Sequence, residues 1–390
     1  MIRSSILAAL FGVWTVSLPS DLHIVQRALL VAGVVALARL AYHLGQNRGV
    51  LSRIVILGNG PIVAKLIEEL ESWPAPRYVL TGVLDNEPLR EGTHAAWLGR
   101  LDRLAEVVDE VRADRIVVAL PDRRGQLPLA PLLESRARGV IVEDALEFYE
   151  RLSGKMAIEA LTPGSLINAR GFRNRGTPDK VARAVSVAVA LIGLVLLAPL
   201  MAAIALAITL DSDGPVLFVQ ERIGRGGRPF NLLKFRTMRP QRERRSEWAR
   251  DNFDRITRVG ALLRRFRLDE LPQLVNIVRG EMNLVGPRPH PTCNQEIFME
   301  RIAYYGLRST VHPGVTGWAQ VRYGYANDIE EETEKMRYDL YYIKNRSLVL
   351  DLVILLRTTG IMVLGYGATA VLRPKPIRGR VTVQPVPIRQ

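Results

Sequence analysis

The chain has 390 residues, 48% of them hydrophobic and 24% charged, with a formal net charge of +14. That length predicts two or three domains, and the excess positive charge fits an anionic partner: nucleic acid, an acidic membrane surface or a phosphorylated substrate. A single cysteine, Cys293, excludes an intrachain disulfide and a cysteine-only metal cluster.

Two apolar runs come first, SSILAALFGVWTVSL (4–18) and LHIVQRALLVAGVVALARLAYHL (22–44). A spanning helix needs about 20 apolar residues. The first run is short, and Arg27 and Arg39 interrupt the second. A cleaved signal peptide is the alternative, but no small-x-small pattern follows residue 18. Arg3 before the pair, and Arg48 and Arg53 after it, favour a helical hairpin over 1–50 with both ends cytoplasmic.

Residues 51–170 alternate strand and helix patterns. RIVILGNG (53–60), YVLTGVLD (78–85), RIVVALP (115–121) and VIVED (140–144) read as strands. VAKLIEELES (63–72), LDRLAEVVDEVR (101–112) and LPLAPLLESRARG (127–139) read as helices. The alternation predicts βαβ units and a Rossmann-like parallel sheet. Gly58 and Gly60 could admit a phosphate to a helix N-terminus, and Asp85 lies where a ribose-binding acid would sit. The third fingerprint glycine is missing, since residue 63 is Val. A structural or regulatory domain is therefore preferred over a dinucleotide site.

The third part, 176–370, starts with an uncharged run of 27 residues, AVSVAVALIGLVLLAPLMAAIALAITL (184–210). Pro199 interrupts it, which removes a helix hydrogen bond and favours a kink. Basic residues flank both sides: Arg173, Arg175, Lys180 and Arg183 before, Arg222, Arg225 and Arg228 after. The expectation is a re-entrant helix–break–helix that enters one leaflet, the alternative a straight span with a tolerated proline. Residues 371–390 read as a flexible tail.

Charge concentrates downstream of this run. Residues 221–288 carry 17 Lys and Arg against 8 Asp and Glu. In their midst lie two adjacent carboxylates, Asp269 and Glu270, and the segment closes on Pro287-Arg288-Pro289. The plain reading of Asp-Glu is the acidic first turn of a helix over 269–279, which the helix dipole favours. The sharper one is a site that handles phosphate and a metal.

Four segments then decide the balance: DSDGPVLFVQERIGRGGRPFNLLKFRTM (211–238), LRRFRLDELPQLVNIVRGEMNLVGPRP (263–289), HPGVTGWAQVR (312–322) and YDLYYIKNRSLVLDLVILL (338–356). In this order they resemble the bacterial sugar transferase family, the monotopic polyprenyl-phosphate phosphoglycosyl transferases, and most closely their exopolysaccharide branch. The resemblance covers about 176–367. It implies a nucleotide diphosphate sugar donor, expected to be a UDP-hexose, and a membrane polyprenyl phosphate acceptor. It further implies initiation of exopolysaccharide or O-antigen synthesis at the bacterial inner membrane, with the soluble domains cytoplasmic. Asp269 would be the nucleophile of a phosphosugar–enzyme intermediate, and Glu270 would help hold Mg2+. Larger members carry four spanning helices ahead of a Rossmann-like domain, whereas room for two exists here before residue 52. The family's helix break is Ser-Pro, and here it is Ala198-Pro199.

The residues themselves suit this chemistry. Attack on a diphosphate needs a nucleophile, a cation on the leaving phosphate and fixed positive charge around the oxygens. A carboxylate can attack and form an acyl phosphate, and Mg2+ suits one or two carboxylates plus phosphate oxygens. Arg264 and Arg288 are the leading phosphate ligands, because guanidinium groups bind phosphate bidentately. Lys234 and Arg236 share a face if NLLKFRTM is a strand. The glycine-rich ERIGRGGRPF either cradles phosphate or is a tight basic turn. Trp318 and Gln320 either contact base or sugar or pack a loop, and His312 reads as a loop residue. Readings from other classes are a basic nucleic-acid-binding membrane protein and an NAD(P)-linked sugar-nucleotide enzyme. The first is disfavoured because the charge adjoins an apolar run; the second lacks a Tyr-x-x-x-Lys within 53–150. Glucose and galactose both fit as the sugar, and a homo-oligomer is compatible with the sequence.

Overall fold

The computed structural model describes residues 51–363 apart from 73–76, 90–94, 122–126, 162, 169, 173–175, 240–254, 325 and 327. The expected membrane hairpin over 1–50 and the tail 371–390 lie outside the described residues. The chain divides into two compact units, Met1–Ser52 with Ala75–Val79 and Arg53–Pro74 with Leu80–Gln390. Apart from the first residues of two strands, the elements below belong to the second unit.

A five-stranded sheet forms from β1 (Ser52–Leu57), β2 (Tyr78–Leu84), β3 (Trp97–Gly99), β4 (Arg115–Val118) and β5 (Ile141–Asp144), in the order β3-β2-β1-β4-β5. The pairs β1–β4, β4–β5 and β2–β3 are parallel. Helices Ile62–Glu71, Leu104–Glu110 and Leu129–Ala137 make the crossovers. Ile54, Val55, Ile56 and Leu57 are all buried, as expected of a strand covered on both faces. β3 was not anticipated, because three residues are too few to show an alternation.

The Gly-x-Gly turn after β1 has an internal use. A Cβ on Gly60 would lie 2.4 Å from the Ala119 carbonyl oxygen, so glycine is needed for the loop to pass the end of β4. Asp85, the candidate ribose acid, accepts the Asn59 N–H at 2.6 Å and the Glu87 N–H at 3.1 Å. The carboxylate that a dinucleotide would need is thus engaged by the protein's own loop.

At the end of the sheet Asp144 caps helix Ala145–Ser153, accepting the Leu146 and Glu147 amides. The chain then enters helix Thr177–Asp211, which continues through Pro199. This differs from the expected helix–break–helix. Pro199 removes one backbone donor, but the apolar run on both sides keeps helical geometry, so the loss stays local. Val185, Val189, Ile192, Val195, Leu196, Leu206 and Leu210 are exposed along it. The helix is long and apolar enough to cross a membrane.

β6 (Leu217–Ile223) and β7 (Pro229–Phe235) form an antiparallel hairpin, and residues from both halves of the long helix share core clusters with residues of β7. Ala190 clusters with Phe230, Leu232 and Ile277, and Ile204 and Ile208 cluster with Phe235 and Leu263. The helix expected over 269–279 is instead a 3-10 turn, Leu268–Glu270, followed by helix Gln273–Arg279. β8 (Asn283–Val285) and β9 (Gly314–Thr316) pair in parallel. Helices Ile329–Asn345 and Leu348–Val363 complete the described part, with Met336, Leu340 and Ile343 in its core.

Gly60→Ala is expected to destabilise the sheet by about 1–3 kcal/mol, the usual cost of overpacking, seen as a lower unfolding midpoint of the detergent-solubilised chain. An unchanged midpoint would show that the loop can yield.

Candidate active site

Helix Arg258–Arg265 leads into the carboxylate pair through Arg267, whose φ of 54° is left-handed. Such a conformation costs a bulky residue about 1–3 kcal/mol and recurs at functional sites. The turn that follows buries both carboxylates: Asp269 is 9% exposed and Glu270 7%. A solvated acidic helix start would leave them in water, so the plain reading fails on burial.

Two cations from distant parts of the sequence meet Glu270. Lys234 Nζ, carried by β7, lies 3.2 Å from Oε1, and Arg288 Nη2, from the Pro-Arg-Pro loop after β8, donates to the same oxygen at 2.9 Å. Arg267 Nη1 lies 4.0 Å from Oε2. The Pro-Arg-Pro loop is placed by the close approach of two segments: a Cβ on Gly314 would fall 2.1 Å from the Gly286 nitrogen.

These surroundings push the two carboxyls apart. Burial opposes the charged form of Glu270, but Arg288, Lys234 and Arg267 outweigh it and hold the group far below the usual carboxylate range. Burial raises Asp269, with Lys234, Arg288 and Arg264 opposing and Glu270 adding to the rise. Burial also lowers Lys234, against the pull of Glu270. The result is one carboxylate kept ionised beside another that is easier to protonate.

Among the described residues no group of three or more His, Cys, Asp and Glu side chains could hold a metal. Mg2+, however, needs only one or two carboxylates where phosphate oxygens complete its shell. Glu270 Oε1 is already engaged by Lys234 and Arg288, so Glu270 Oε2 and Asp269 are the atoms that would hold the ion.

The other sequence candidates lie elsewhere. Arg236 is buried and donates through Nη2 to the Ser212 carbonyl at 2.6 Å and hydroxyl at 3.1 Å, capping the end of the long helix. Trp318 is buried, donates to the Gly154 carbonyl at 2.7 Å, and has Arg322 and Arg357 over its ring. Gln320 is buried and donates to the Val315 carbonyl at 3.3 Å. For Trp318 and Gln320 the loop-packing alternative describes what these contacts do. Lys234, Arg288, Asp269 and Glu270 form one cluster, and Arg264 acts on it through its charge on Asp269.

Two cavities share Gly224, and the smaller is lined by the Pro-Arg-Pro loop. Arg288 and Arg308 line the smaller. The larger, about 520 Å³, is lined by Arg225, Arg228 and His312 among others. Arg225 Nη1 lies 3.3 Å from His312 Nε2, and burial together with Arg225 keeps that imidazole below its usual range. Sequence reasoning missed the buried polar groups behind the loop: His290, Tyr305, Arg308 and Asp339. Only the three prolines among residues 287–291 gave a signal, since they leave the loop with two backbone N–H groups for five carbonyls.

Fold and site together describe an α/β protein in which a buried carboxylate pair, held by fixed cations, sits beside a long exposed apolar helix. The chain belongs to the bacterial sugar transferase family, whose model matches residues 178–365. A second model, described as a CoA-binding domain, matches residues 5–126. The chain is 37% identical to the UDP-N-acetylgalactosamine-undecaprenyl-phosphate N-acetylgalactosaminephosphotransferase of Aeromonas hydrophila, over 76% of this chain and 69% of that one. It is 34% identical to the UDP-glucose:undecaprenyl-phosphate glucose-1-phosphate transferase of Xanthomonas campestris pv. campestris, over 86% of this chain and 71% of that one. With the transferase of the same description from Escherichia coli (strain K12) the identity is 31%, over 80% and 68%.

If Asp269 must be ionised to react, turnover falls as pH drops through its raised pKa. Arg264 lowers that pKa, so Arg264→Gln should move the acid limb of kcat/KM to higher pH. A limb that does not move would assign it to another group.

Proposed function

We propose that the chain transfers a sugar 1-phosphate from a UDP-sugar to a membrane polyprenyl phosphate, the step that begins assembly of a surface polysaccharide. The observation that carries this reading is the buried Asp269–Glu270 pair, with Glu270 neutralised by Lys234 and Arg288. The names of the relatives, all undecaprenyl-phosphate sugar phosphotransferases, support it. Their sugars differ, so the hexose of this chain is not fixed by kinship.

In the first step an Asp269 carboxylate oxygen attacks the phosphorus that carries the sugar. The bond to the second phosphate breaks, a nucleoside monophosphate leaves, and an aspartyl phosphosugar remains. In the second step a phosphate oxygen of the polyprenyl phosphate attacks the same phosphorus. A polyprenyl diphosphate sugar forms and the Asp269 carboxylate is restored. Arg288, together with Arg264 at the edge of the cluster, would offset the repulsion between carboxylate and phosphate oxygens. Lys234 and Arg288 keep Glu270 ionised and fixed. Mg2+ held at Glu270 and Asp269 would supply further neutralisation of the phosphate oxygens. The larger basic cavity, which shares Gly224 with the smaller one that Arg288 lines, offers room for the rest of the donor.

The acceptor lies in a membrane, and the long helix supplies the attachment. Near its start Arg183 donates to the Met282 carbonyl at 2.5 Å, and at its end Asp211 accepts the Val259 N–H at 3.1 Å. Both ends of this unbroken helix are thus tied to one catalytic domain, which favours attachment on a single side of the membrane over a crossing. The side is the cytoplasmic face of the bacterial inner membrane, because both flanks are basic.

Asp269→Asn should abolish turnover, by more than about a thousand-fold as expected for loss of a nucleophile, while folding persists. With acceptor withheld, the wild type should release nucleoside monophosphate and gain the mass of one hexose phosphate on the peptide containing Asp269. An adduct on another peptide, or full turnover in Asp269→Asn, would overturn the assignment.

Cysteine tags placed before Val181 and after Arg222 should both be labelled from the cytoplasmic side. Labelling from opposite sides would make the helix a full span.

A further inference from the structure

Residues 287–291, Pro-Arg-Pro-His-Pro, carry a proline at three of five positions. Proline fixes φ and has no N–H, so this loop is held through its carbonyls. Pro287 O accepts from the Gly314 amide at 3.0 Å and His290 O from the Ile223 amide at 3.0 Å. Pro289 O accepts from Arg222 Nη1 at 3.1 Å, and Arg288 O accepts from Arg308 Nη2 at 2.9 Å. The last bond joins the residue that touches Glu270 to a guanidinium 20 positions away.

Arg308 is buried, and every nitrogen of its guanidinium is engaged. Nε and Nη2 lie 2.9 and 2.8 Å from Asp339 Oδ2. Nη1 donates to the Tyr305 hydroxyl at 2.8 Å and lies 3.0 Å from His290 Nδ1. The Tyr305 hydroxyl is 2.5 Å from that same Nδ1. Burial, followed by Arg308, holds the His290 imidazole well below its usual range. A neutral ring with Nδ1 as acceptor leaves its Nε2–H facing Glu332 Oε1 at 3.3 Å. Lys335 holds the other Glu332 oxygen at 2.9 Å. One guanidinium therefore grips the loop on both sides of Pro289, through the Arg288 carbonyl and the His290 ring.

We propose that Arg308 and Asp339 are positioning residues of the transfer site: the buried pair fixes the Arg288 backbone and so sets where the Arg288 guanidinium meets Glu270. The proposal rests on the transferase reading of that site. A buried ion pair is a poor source of stability, because desolvation offsets most of its attraction. It is a good source of geometry, because a planar fork with all donors engaged has one orientation. Asp339 does not reach the reacting groups. It orients Arg308, whose rigid contact is passed along one backbone carbonyl.

The test is a double-mutant cycle on the full chain in detergent, with polyprenyl phosphate, Mg2+ and whichever of UDP-glucose and UDP-N-acetylgalactosamine turns over. Asp339→Asn and Arg288→Gln should each lower kcat about a hundred-fold, the scale of a 1 Å misplacement. The donor KM should change only a few-fold. The double variant should be no worse than Arg288→Gln, since both changes remove one function. Arg308→Lys keeps the charge but loses the fork and should behave like Asp339→Asn. If Asp339→Asn does not fold, Arg308→Lys and Tyr305→Phe carry the same cycle. Losses that multiply in the double variant, or wild-type kcat in Asp339→Asn beside an inactive Arg288→Gln, would overturn the proposal and leave the transferase reading intact. Full turnover in Asp269→Asn would instead overturn that reading.

Discussion

A carboxylate as buried as Glu270 would protonate if it had no counter-charge. Here it stays ionised because Lys234 and Arg288 meet on one of its oxygens. That convergence sets the architecture around it. Lys234 must be delivered by a strand, so β7 needs β6 to pair with. Arg288 must be delivered by a loop that cannot drift, and the prolines on either side restrict its backbone. Asp269 and Glu270 must turn inward together, and the left-handed Arg267 makes that turn. Asn276 ties the pieces: its Oδ1 accepts the Leu233 amide of β7 at 3.0 Å, and its Nδ2 donates to the Asn231 carbonyl at 2.8 Å. The helix that follows the carboxylates is thereby bonded to the strand that carries their cation.

The apolar helix is secured by similar physics at two places. A helix C-terminus presents carbonyls with no partner and a partial negative charge. Arg236 meets this at the end of the long helix, at the Ser212 carbonyl. Arg183, near the start of the long helix, donates to the carbonyls of Ile277, in the last turn of helix Gln273–Arg279, and of Met282 beyond it. Each arginine joins the apolar helix to the domain that carries the carboxylates. Pressure on the helix from a membrane would therefore reach the site through charged bonds of fixed length as well as through apolar packing. This explains why arginine, with its planar fork, stands at both joints.

Much of this could be read in the sequence, and what could not has definite causes. The parallel sheet was legible because buried strands such as RIVIL alternate with amphipathic helices. The carboxylate pair was legible because its neighbours form long motifs. Arg288 was singled out as a phosphate ligand and Lys234 for the face it shares with Arg236, and the structure adds that Lys234 and Arg288 both bond Glu270. Arg236 was expected beside Lys234. The strand does place them two residues apart, but Arg236 lies past the end of β7, where the nearest acceptor is the helix end. Trp318 stayed open between contact with base or sugar and packing of a loop, because sequence cannot distinguish an exposed ring from a buried one. Arg308 and Asp339 were invisible because a buried ion pair between residues 31 apart leaves no local pattern.

Helix Ile329–Asn345 joins the remaining pieces. At about 100° per residue, Glu332, Lys335 and Asp339 fall on one side and Glu334, Arg337 and Lys344 on the other. The first side contacts His290 and Arg308 behind the Pro-Arg-Pro loop. The second meets the sheet domain and the segment leading from it. Lys155 bridges Glu69 and Glu334, Arg337 bonds Glu334 and Glu159, and Lys344 bonds Glu150. Trp318 adds its bond to Gly154 at the end of helix Ala145–Ser153. The sheet domain thus need not bind a nucleotide to matter for transfer. Its own turn engages Asp85, while its last helix braces the outer side of the element whose inner side holds Asp339. Rotation of that helix by one residue would carry Asp339 off Arg308, so the bracing and the placement of Arg288 are two faces of one constraint.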